Sequence, residues 1–439
     1  MVVKKRKNIK IVVLGDIGHS PRMTNHAVCL AEKGHTVDII GYGDSDPINT
    51  LKLNSRIYYH YLFRCPEINA KWLPLKLLNY IFKTIWTTFN LLFLMLITRK
   101  SDMVLVQNPP AIPAMYVSWI YCKIIGAELV IDWHNYAHTI MAMSVGEKSP
   151  LVTLTKNIEV AIGRRADYNF CVSKAMKKDL YANWQIRTEV LYDRPSEEFA
   201  QVSDGEKHDF FLRLSKKKGF EIFGDKTNPY FTIFTHIPQT GGVYLKENRP
   251  AFIVSSTSWT LDEDFSILIN ALQDYEDHWQ NGNEKKLPNL IVAITGKGPM
   301  KEYYCNDIES RKWEHIRVLT PWLDIIEYPY FIGSADLGIS LHTSSSGLDL
   351  PMKIVDLFGT LVPVLAYNFK ALNELVVHGK NGYVFSSSKG LSKLLQLWFE
   401  EFPKNKTVNE TIEEFKEYLF NGRCFTWQNC WEGIAGPIF

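Results

Sequence analysis

Two apolar patterns alternate along this chain: short, nearly unbroken aliphatic runs, and longer stretches where apolar residues recur every three or four positions. The runs at 9–14 (IKIVVL), 102–106 (DMVLV), 127–131 (AELVI), 168–172 (YNFCV), 251–254 (AFIV) and 290–295 (LIVAIT) have the length and composition of strands buried on both faces. Each ends in a polar or glycine-bearing turn, and several of these turns lead into helix-period stretches, as at 23, 174 and 265. Strand, turn, helix and strand in repetition predict α/β architecture with parallel, doubly wound sheets. The clearest unit spans 335–363. A strand at 337–341 passes through a hydroxyl loop at 343–347, and after Pro351 a helix follows with Ile354, Leu357 and Phe358 on its apolar stripe.

One stretch breaks the alternation. Residues 84–98 (TIWTTFNLLFLMLIT) carry no charge, with Lys83 before them and Arg99 and Lys100 after. These fifteen residues fall short of the roughly 20 that a bilayer span requires, and extending back to Trp72 takes in Lys76 and Lys83. Aromatics interleaved with lysines favour a helix lying in a membrane interface, with Trp72, Phe82, Trp86 and Phe89 inserted. A helix packed inside the domain is the other reading, and a true span the least favoured.

With 439 residues, the chain exceeds one ordinary domain and suggests two α/β domains of about 200 residues each. The expected layout is an N-terminal domain at 1–194, a variable linker at 195–250 where apolar periodicity fades, a C-terminal domain at 251–400, and helices at 401–439 that pack back towards the N-terminal domain. A net charge of +2 gives no bulk electrostatic reason to expect a nucleic-acid partner. Seven cysteines with no C-x-x-C pair argue against a disulfide framework or a zinc site and suit a reducing compartment. The basic tract at 4–7 (KKRK) runs directly into a strand, which is not the pattern of a secretory signal.

Polar side chains collect where strands end, the edge at which doubly wound sheets bind ligands. Asp16 ends the first strand and is a candidate general base, its plainer role being a turn or cap residue. Gly18, His19 and Arg22 share its loop, and His19 reads as readily as a solvated turn residue. The turn is not G-x-G-x-x-G, which disfavours a dinucleotide-dependent dehydrogenase. His134, in a second strand-end cluster (DWHN), is a candidate base or hydroxyl partner, though a histidine there is more often structural. In the C-terminal half, Lys297 between two glycines supplies a point charge for a diphosphate, and Gly298 permits close backbone approach. A nest of N–H groups at Ser344, Ser345, Ser346 and Gly347 suits phosphate. Lys353 and Asp356 follow on the helix, and a carboxylate there suits sugar hydroxyls. An ordinary solvated turn remains the alternative for each loop alone; their convergence points to a nucleotide-sugar site.

The segments 14–27 (LGDIGHSPRMTNHA), 107–110 (QNPP), 130–140 (VIDWHNYAHTI), 255–268 (SSTSWTLDEDFSIL), 294–299 (ITGKGP) and 341–359 (LHTSSSGLDLPMKIVDLFG) together resemble the chitobiosyldiphosphodolichol beta-mannosyltransferase family of the N-glycan pathway. The resemblance implies a glycosyltransferase-B fold, two Rossmann-like domains facing an interdomain cleft. It implies transfer of the first β-1,4-mannose from GDP-mannose to GlcNAc2-diphosphodolichol, with inversion, at the cytosolic face of the endoplasmic reticulum membrane. The N-terminal domain would then take the acceptor and dock on the membrane, and the C-terminal domain would bind GDP-mannose. Inversion places the base on the acceptor side, with Asp16 the first choice and His134 the second. Lys297, Gly298, the Ser344–Gly347 N–H groups and Lys353 would hold the diphosphate. Gly18, His19 and Arg22 would contact acceptor or phosphate, and Asp356 the ribose, by similarity to the P-x-K-x-x-E helix of related transferases. No protein-bound metal or other cofactor is called for, with Mg2+ in solution left open. Other mannosyltransferases of the pathway are candidate partners. Family members commonly begin with a membrane-spanning anchor, and none precedes Ile9. Attachment is therefore expected to rest on residues 72–100 and on the basic tract, worth about 1 kcal/mol per charge near an anionic surface. Two rival functions stay open: a lipid-diphosphate glycosyltransferase with another nucleotide-sugar donor, and a non-catalytic membrane-associated scaffold.

Overall fold

The computed structural model describes residues 6–45, 54–66, 73–282, 286–422 and 426–439, with 73–77 by backbone alone. Trp72, expected at the membrane, and Lys4 and Lys5 of the basic tract lie outside the described residues. The chain forms two compact units. Unit 1 takes the described residues of Met1–Asp193 with Ser345–Asp349 and Trp427–Phe439; unit 2 takes those of Arg194–Ser344 and Leu350–Thr426.

Unit 1 is built on seven parallel strands: β1 (Asn8–Asp16), β2 (Thr36–Tyr42), β3 (Ile57–Tyr61), β4 (Met103–Asn108), β5 (Glu128–Trp133), β6 (Tyr168–Cys171) and β7 (Glu189–Val190), in the order 3-2-1-4-5-6-7. β1 is an interior strand, with Val12 level with Ile40 of β2 and Val106 of β4. Its aliphatic run is buried on both faces, as an unbroken apolar strand requires. Lys10 interrupts the run and is buried too, its ammonium donating to the Arg99 carbonyl. One core lies under the helices Leu73–Ile97 and Ala114–Ile125; the other lies under helix Pro21–Glu32, where the C-terminal helix Trp427–Ile434 inserts Trp427 and Trp431.

Unit 2 has six parallel strands, β10 (Ala251–Ser256), β11 (Leu290–Thr295), β12 (Ile316–Leu319), β13 (Leu337–Ser340), β14 (Val364–Tyr367) and β15 (Gly382–Phe385), in the order 12-11-10-13-14-15. A short antiparallel pair, β8 (Thr235–His236) and β9 (Tyr244–Leu245), precedes them.

Two boundaries differ from expectation. Residues 195–250 are not a linker: they carry a helix, Asp204–Leu214, closed by a Ser203–Glu206 capping box. Phe210, Phe211, Phe223 and Phe234 from this segment pack against Phe252 and Phe331 in the unit 2 core. Their irregular spacing gives neither a helical nor a strand period, which hid a core contribution. Within 401–439, only Trp427–Phe439 joins unit 1; helix Lys406–Asn421 stays with unit 2, where Phe415 is buried.

Candidate active site

In unit 2 the loops after β10 and β11 are locked together by backbone. A Cβ on Gly296 would lie 1.9 Å from the Thr257 carbonyl oxygen, and one on Gly298 1.7 Å from that of Ser258. Only glycine allows this approach, and Gly296 also has φ +145°. The glycines expected to admit a diphosphate are thus used first to join two loops. Buried Glu263 fixes the β10 side, accepting from the Thr257 hydroxyl and from the Ser258 N–H at 3.1 Å. Lys297 is exposed, with Nζ 4.1 Å from the Trp322 ring centre, and Lys353 Nζ lies 3.4 Å from Ser258 Oγ. The sequence Lys297–Gly298, Ser258 and Lys353 is therefore contiguous in space. Beside it, the Tyr328 hydroxyl donates to Ser256 Oγ at 2.9 Å. Burial first, then the charge of Asp356, pushes that phenol's pKa up; Asp356 lies on the helix Met352–Gly359 that also carries Lys353.

The hydroxyl loop after β13 divides its loyalties. Thr343 Oγ1 donates to the Asp262 carbonyl at 2.8 Å. Ser344 takes φ +62° and Gly347 φ +69°, both in the left-handed region. Ser345–Asp349 belongs with unit 1. There Ser345 Oγ accepts from Asn135 Nδ2 at 3.2 Å and lies 2.9 Å from Thr139 Oγ1, while Ser346 Oγ donates to Asn135 Oδ1 at 2.7 Å. The Ser345 and Ser346 hydroxyls are thus engaged by the residues that follow β5, whereas the expectation for the donor concerned the N–H groups of this loop.

At the end of β1, Asp16 gathers its own loop. Oδ1 accepts from the N–H groups of Gly18 at 3.4 Å and of Asp44 and Ser45 at 3.1 Å; Oδ2 accepts from the Ser45 hydroxyl and faces His19 Nδ1 at 2.5 Å. Burial would raise this carboxyl, but the bonds from Ser45, His19 and Asp44 outweigh it and bring its pKa down to about 2. Ser20 Oγ donates to Gln107 Oε1 at 3.2 Å, tying the loop to β4.

Arg22 turns away from this loop. Its guanidinium is buried, bidentate on Asp132 at 2.7 and 2.8 Å, and donates to Asp193 at 3.0 Å and to the Leu191 carbonyl at 2.8 Å. The expected phosphate contact is therefore a buried counter-ion. Asp132 also takes His26 Nε2 at 3.2 Å and His134 Nε2 at 3.0 Å. His26 Nδ1 accepts from the indole N–H of Trp431 at 2.9 Å; because that group only donates, His26 carries its proton on Nε2. Burial lowers the His26 pKa in keeping with a neutral ring. Burial alone would raise the Asp132 carboxyl, yet Arg22 and His134 hold it well below the usual range. His134 is half-buried and rests on this carboxylate.

Helix Leu73–Ile97 shows two apolar faces. Leu91, Leu94 and Met95 enter the unit 1 core, whereas Leu78, Phe82, Ile85, Phe89, Phe93 and Leu96 form an exposed ridge, with Phe89 70% exposed. Leu78–Ile97 is long and apolar enough to cross a membrane by length and composition, but its packed face ties it to the domain. Trp86 departs from expectation: it is half-buried, and its indole N–H donates to the Phe63 carbonyl at 3.1 Å.

Among the described residues, no group of three or more His, Cys, Asp or Glu side chains is arranged to hold a metal ion. Sequence reasoning missed Glu263, Tyr328, Ser45 and Asp193. Only Glu263 left a signal, a hydroxyl cluster six residues upstream of an acid.

The chain is 40% identical over 438 residues to the chitobiosyldiphosphodolichol beta-mannosyltransferase of Mus musculus, covering 99% of this chain and 89% of that protein. It is 39% identical over 463 residues to UDP-glycosyltransferase TURAN of Arabidopsis thaliana, covering 99% and 97%. Among solved structures, sucrose-phosphate synthase from Thermosynechococcus elongatus matches with TM-score 0.66 at 11% identity, over 97% of this chain and 96% of that one. That likeness speaks for the fold alone, a glycosyltransferase-B fold with two Rossmann-like sheets. No family model matches the chain.

Proposed function

The chain belongs to the chitobiosyldiphosphodolichol beta-mannosyltransferase family and is a glycosyltransferase, and from that premise we propose that it transfers mannose from GDP-mannose to GlcNAc2-diphosphodolichol, inverting the anomeric centre to give a β-1,4 link. The observation that carries the donor half is the unit 2 strand-end cluster: two lysines, Lys297 and Lys353, flank a backbone junction at Gly298 and Ser258, and Asp356 follows Lys353 on the same helix. Two ammonium groups suit a diphosphate, and a carboxylate suits the hydroxyls of a ribose. As the bond to mannose breaks, charge develops on the departing diphosphate, so the lysines stabilise the transition state more than the bound donor. Asp16 and His134 stand at the strand ends of unit 1 as the candidate groups for the acceptor hydroxyl.

A dolichol-borne acceptor keeps the reaction at a membrane surface. The exposed ridge around Phe82 and Phe89 is the docking face of this reading, at the cytosolic side of the endoplasmic reticulum.

The name of the Arabidopsis relative supports a second reading, in which the donor is a UDP-sugar. Incubating the purified protein with synthetic chitobiosyl diphosphopolyprenol and a panel of nucleotide sugars separates the two. GDP-mannose as preferred donor, with a β-linked product by NMR, is the expected result. Preference for a UDP-sugar overturns the donor assignment, and transfer from no donor overturns the reading.

A further inference from the structure

The loop that ends β1 holds a pair of groups whose division of labour differs from the one its sequence suggests. Asp16, at the strand end, invites the role of base, yet both of its oxygens are spent. Oδ1 takes three backbone N–H groups, and Oδ2 takes the Ser45 hydroxyl and His19 Nδ1. A carboxylate so satisfied is a weak proton acceptor at neutral pH, because protonation forfeits those bonds. His19 is placed the opposite way. Its side chain is 63% exposed while that of Asp16 is 15% exposed, and its Nδ1 faces the carboxylate at 2.5 Å. In the neutral ring that contact places the proton on Nδ1 and leaves the lone pair on Nε2, at the far side of the imidazole.

We propose that His19, oriented by Asp16, is the group that takes the proton from the acceptor hydroxyl, and that Asp16 is a positioning residue. This inference rests on the transfer reaction proposed above. In the step, the acceptor hydroxyl oxygen forms a bond to the anomeric carbon of mannose. The bond from that carbon to the diphosphate oxygen breaks, its electron pair leaving with GDP, and the hydroxyl proton passes to His19 Nε2. The imidazolium so formed is stabilised by the Asp16 carboxylate and returns its proton to water.

The comparison with His134 favours His19. His134 also rests on an aspartate, but Asp132 is already bound bidentate by the buried Arg22 guanidinium and bonded by His26. A carboxylate whose charge is so compensated gains less from a second cation. Among the described residues, no such guanidinium is bonded to Asp16. The described charged groups tied to this loop are Asp44, whose N–H bonds Asp16, and Arg64, which pairs with Asp44; Arg22, in the helix that follows, is turned inward. The dyad also stands at the carboxyl end of β1, an interior strand, and is tied to β4 through Ser20 and Gln107, at the edge where such sheets bind their ligands.

The test uses the full chain with GDP-mannose and chitobiosyl diphosphopolyprenol, comparing wild type with His19→Ala, Asp16→Asn and His134→Ala. Thermal unfolding and GDP binding by calorimetry establish that each variant is folded. His19→Ala is expected to lower kcat about 100- to 10,000-fold with donor KM within about twofold, the range for loss of a general base. Added imidazole should restore part of that rate in proportion to its free-base form. Asp16→Asn, which keeps the histidine but removes the charge that stabilises its imidazolium, should move the acid limb of the kcat–pH profile to lower pH. His19→Ala turning over within about threefold of wild type overturns the proposal, as does an imidazole-rescued loss in His134→Ala instead. A wild-type chain that transfers no mannose overturns the function on which the inference rests; an active wild type with an equally active His19→Ala overturns the dyad alone.

Discussion

The Lys297 ammonium lies 4.1 Å from the centre of the Trp322 ring, a residue otherwise 54% exposed. A cation over an exposed aromatic face is worth about 0.5–1 kcal/mol, whereas a charge-assisted bond to phosphate is worth about 1.5–3 kcal/mol. The diphosphate should therefore draw Lys297 off the indole. Lys297→Met is expected to weaken GDP binding roughly 10- to 100-fold. GDP should change indole emission in the wild type, with the change diminished in both Lys297→Met and Trp322→Phe. Calorimetric titration that finds GDP affinity intact in Lys297→Met removes this lysine from the donor site.

Gly298 bears on the same site through sterics. An added Cβ meets the Ser258 carbonyl oxygen at 1.7 Å and Trp259 Cβ at 2.9 Å, so the loops after β10 and β11 must part. Gly298→Ala should lower stability by about 3 kcal/mol and weaken GDP binding together, because the same backbone orders both. Gly205→Ala, at a helical position with no atom within 4 Å, is the control and should raise stability by about 0.4–1 kcal/mol. Urea unfolding of the pair checks the contrast; equal midpoints would show that the loops yield freely.

Removing the charge of Arg22 leaves Asp132 buried without its counter-ion. Arg22→Met is expected to cost about 3–5 kcal/mol at pH 7. The pH dependence fixes the cause. In the wild type the Asp132 carboxyl is depressed, so its contribution is complete above the ordinary carboxylate pKa of about 3.9 and is lost as the pH falls below it. In Arg22→Met the folded-state pKa rises instead, and that variant is penalised most at high pH. The stability gap should narrow as the pH falls from 7 towards 4, measured by urea unfolding. A gap that does not change with pH would point to lost packing, for instance against Trp427, whose ring the guanidinium also covers.

How far the sequence foretold this structure depends on the range of the interactions concerned. The strand at 290–295 was legible to the residue because a run of aliphatics buried on both faces needs no partner to be recognised. β3, IYYHY, escaped because half its residues are polar or exposed at a sheet edge. The location of Asp16 at a strand end was legible, but its partner Ser45 lies 29 positions on, beyond any local pattern. The role of Arg22 misled for the same reason: its pair with Asp132 spans 110 positions. In unit 2 the lysines and Asp356 could be picked out by type and position. That Gly296 and Gly298 face neighbouring backbone was not legible, since a glycine looks alike in either setting.

Helix Leu73–Ile97 allows its two faces to be tested separately. Leu91 is fully buried in the unit 1 core, whereas Phe89, two positions earlier, is 70% exposed, and Phe93 shares its ridge. Leu91→Ala should destabilise the protein by about 2–5 kcal/mol. Phe89→Ser with Phe93→Ser should leave stability within about 0.5 kcal/mol, since exposed side chains add little to folding. On a membrane the order reverses. Each phenyl ring moved into the interface is worth up to about 1.5–3 kcal/mol, so the double variant should bind vesicles at least roughly 10-fold more weakly. Lys83 and Lys100, both exposed near the ridge, should make the wild type prefer anionic vesicles and respond to salt. Sedimentation with phosphatidylcholine vesicles, with and without phosphatidylserine, reads all three effects. Unchanged sedimentation of the double variant would show that the ridge does not meet lipid, and a loss of stability in that variant would show that it is core.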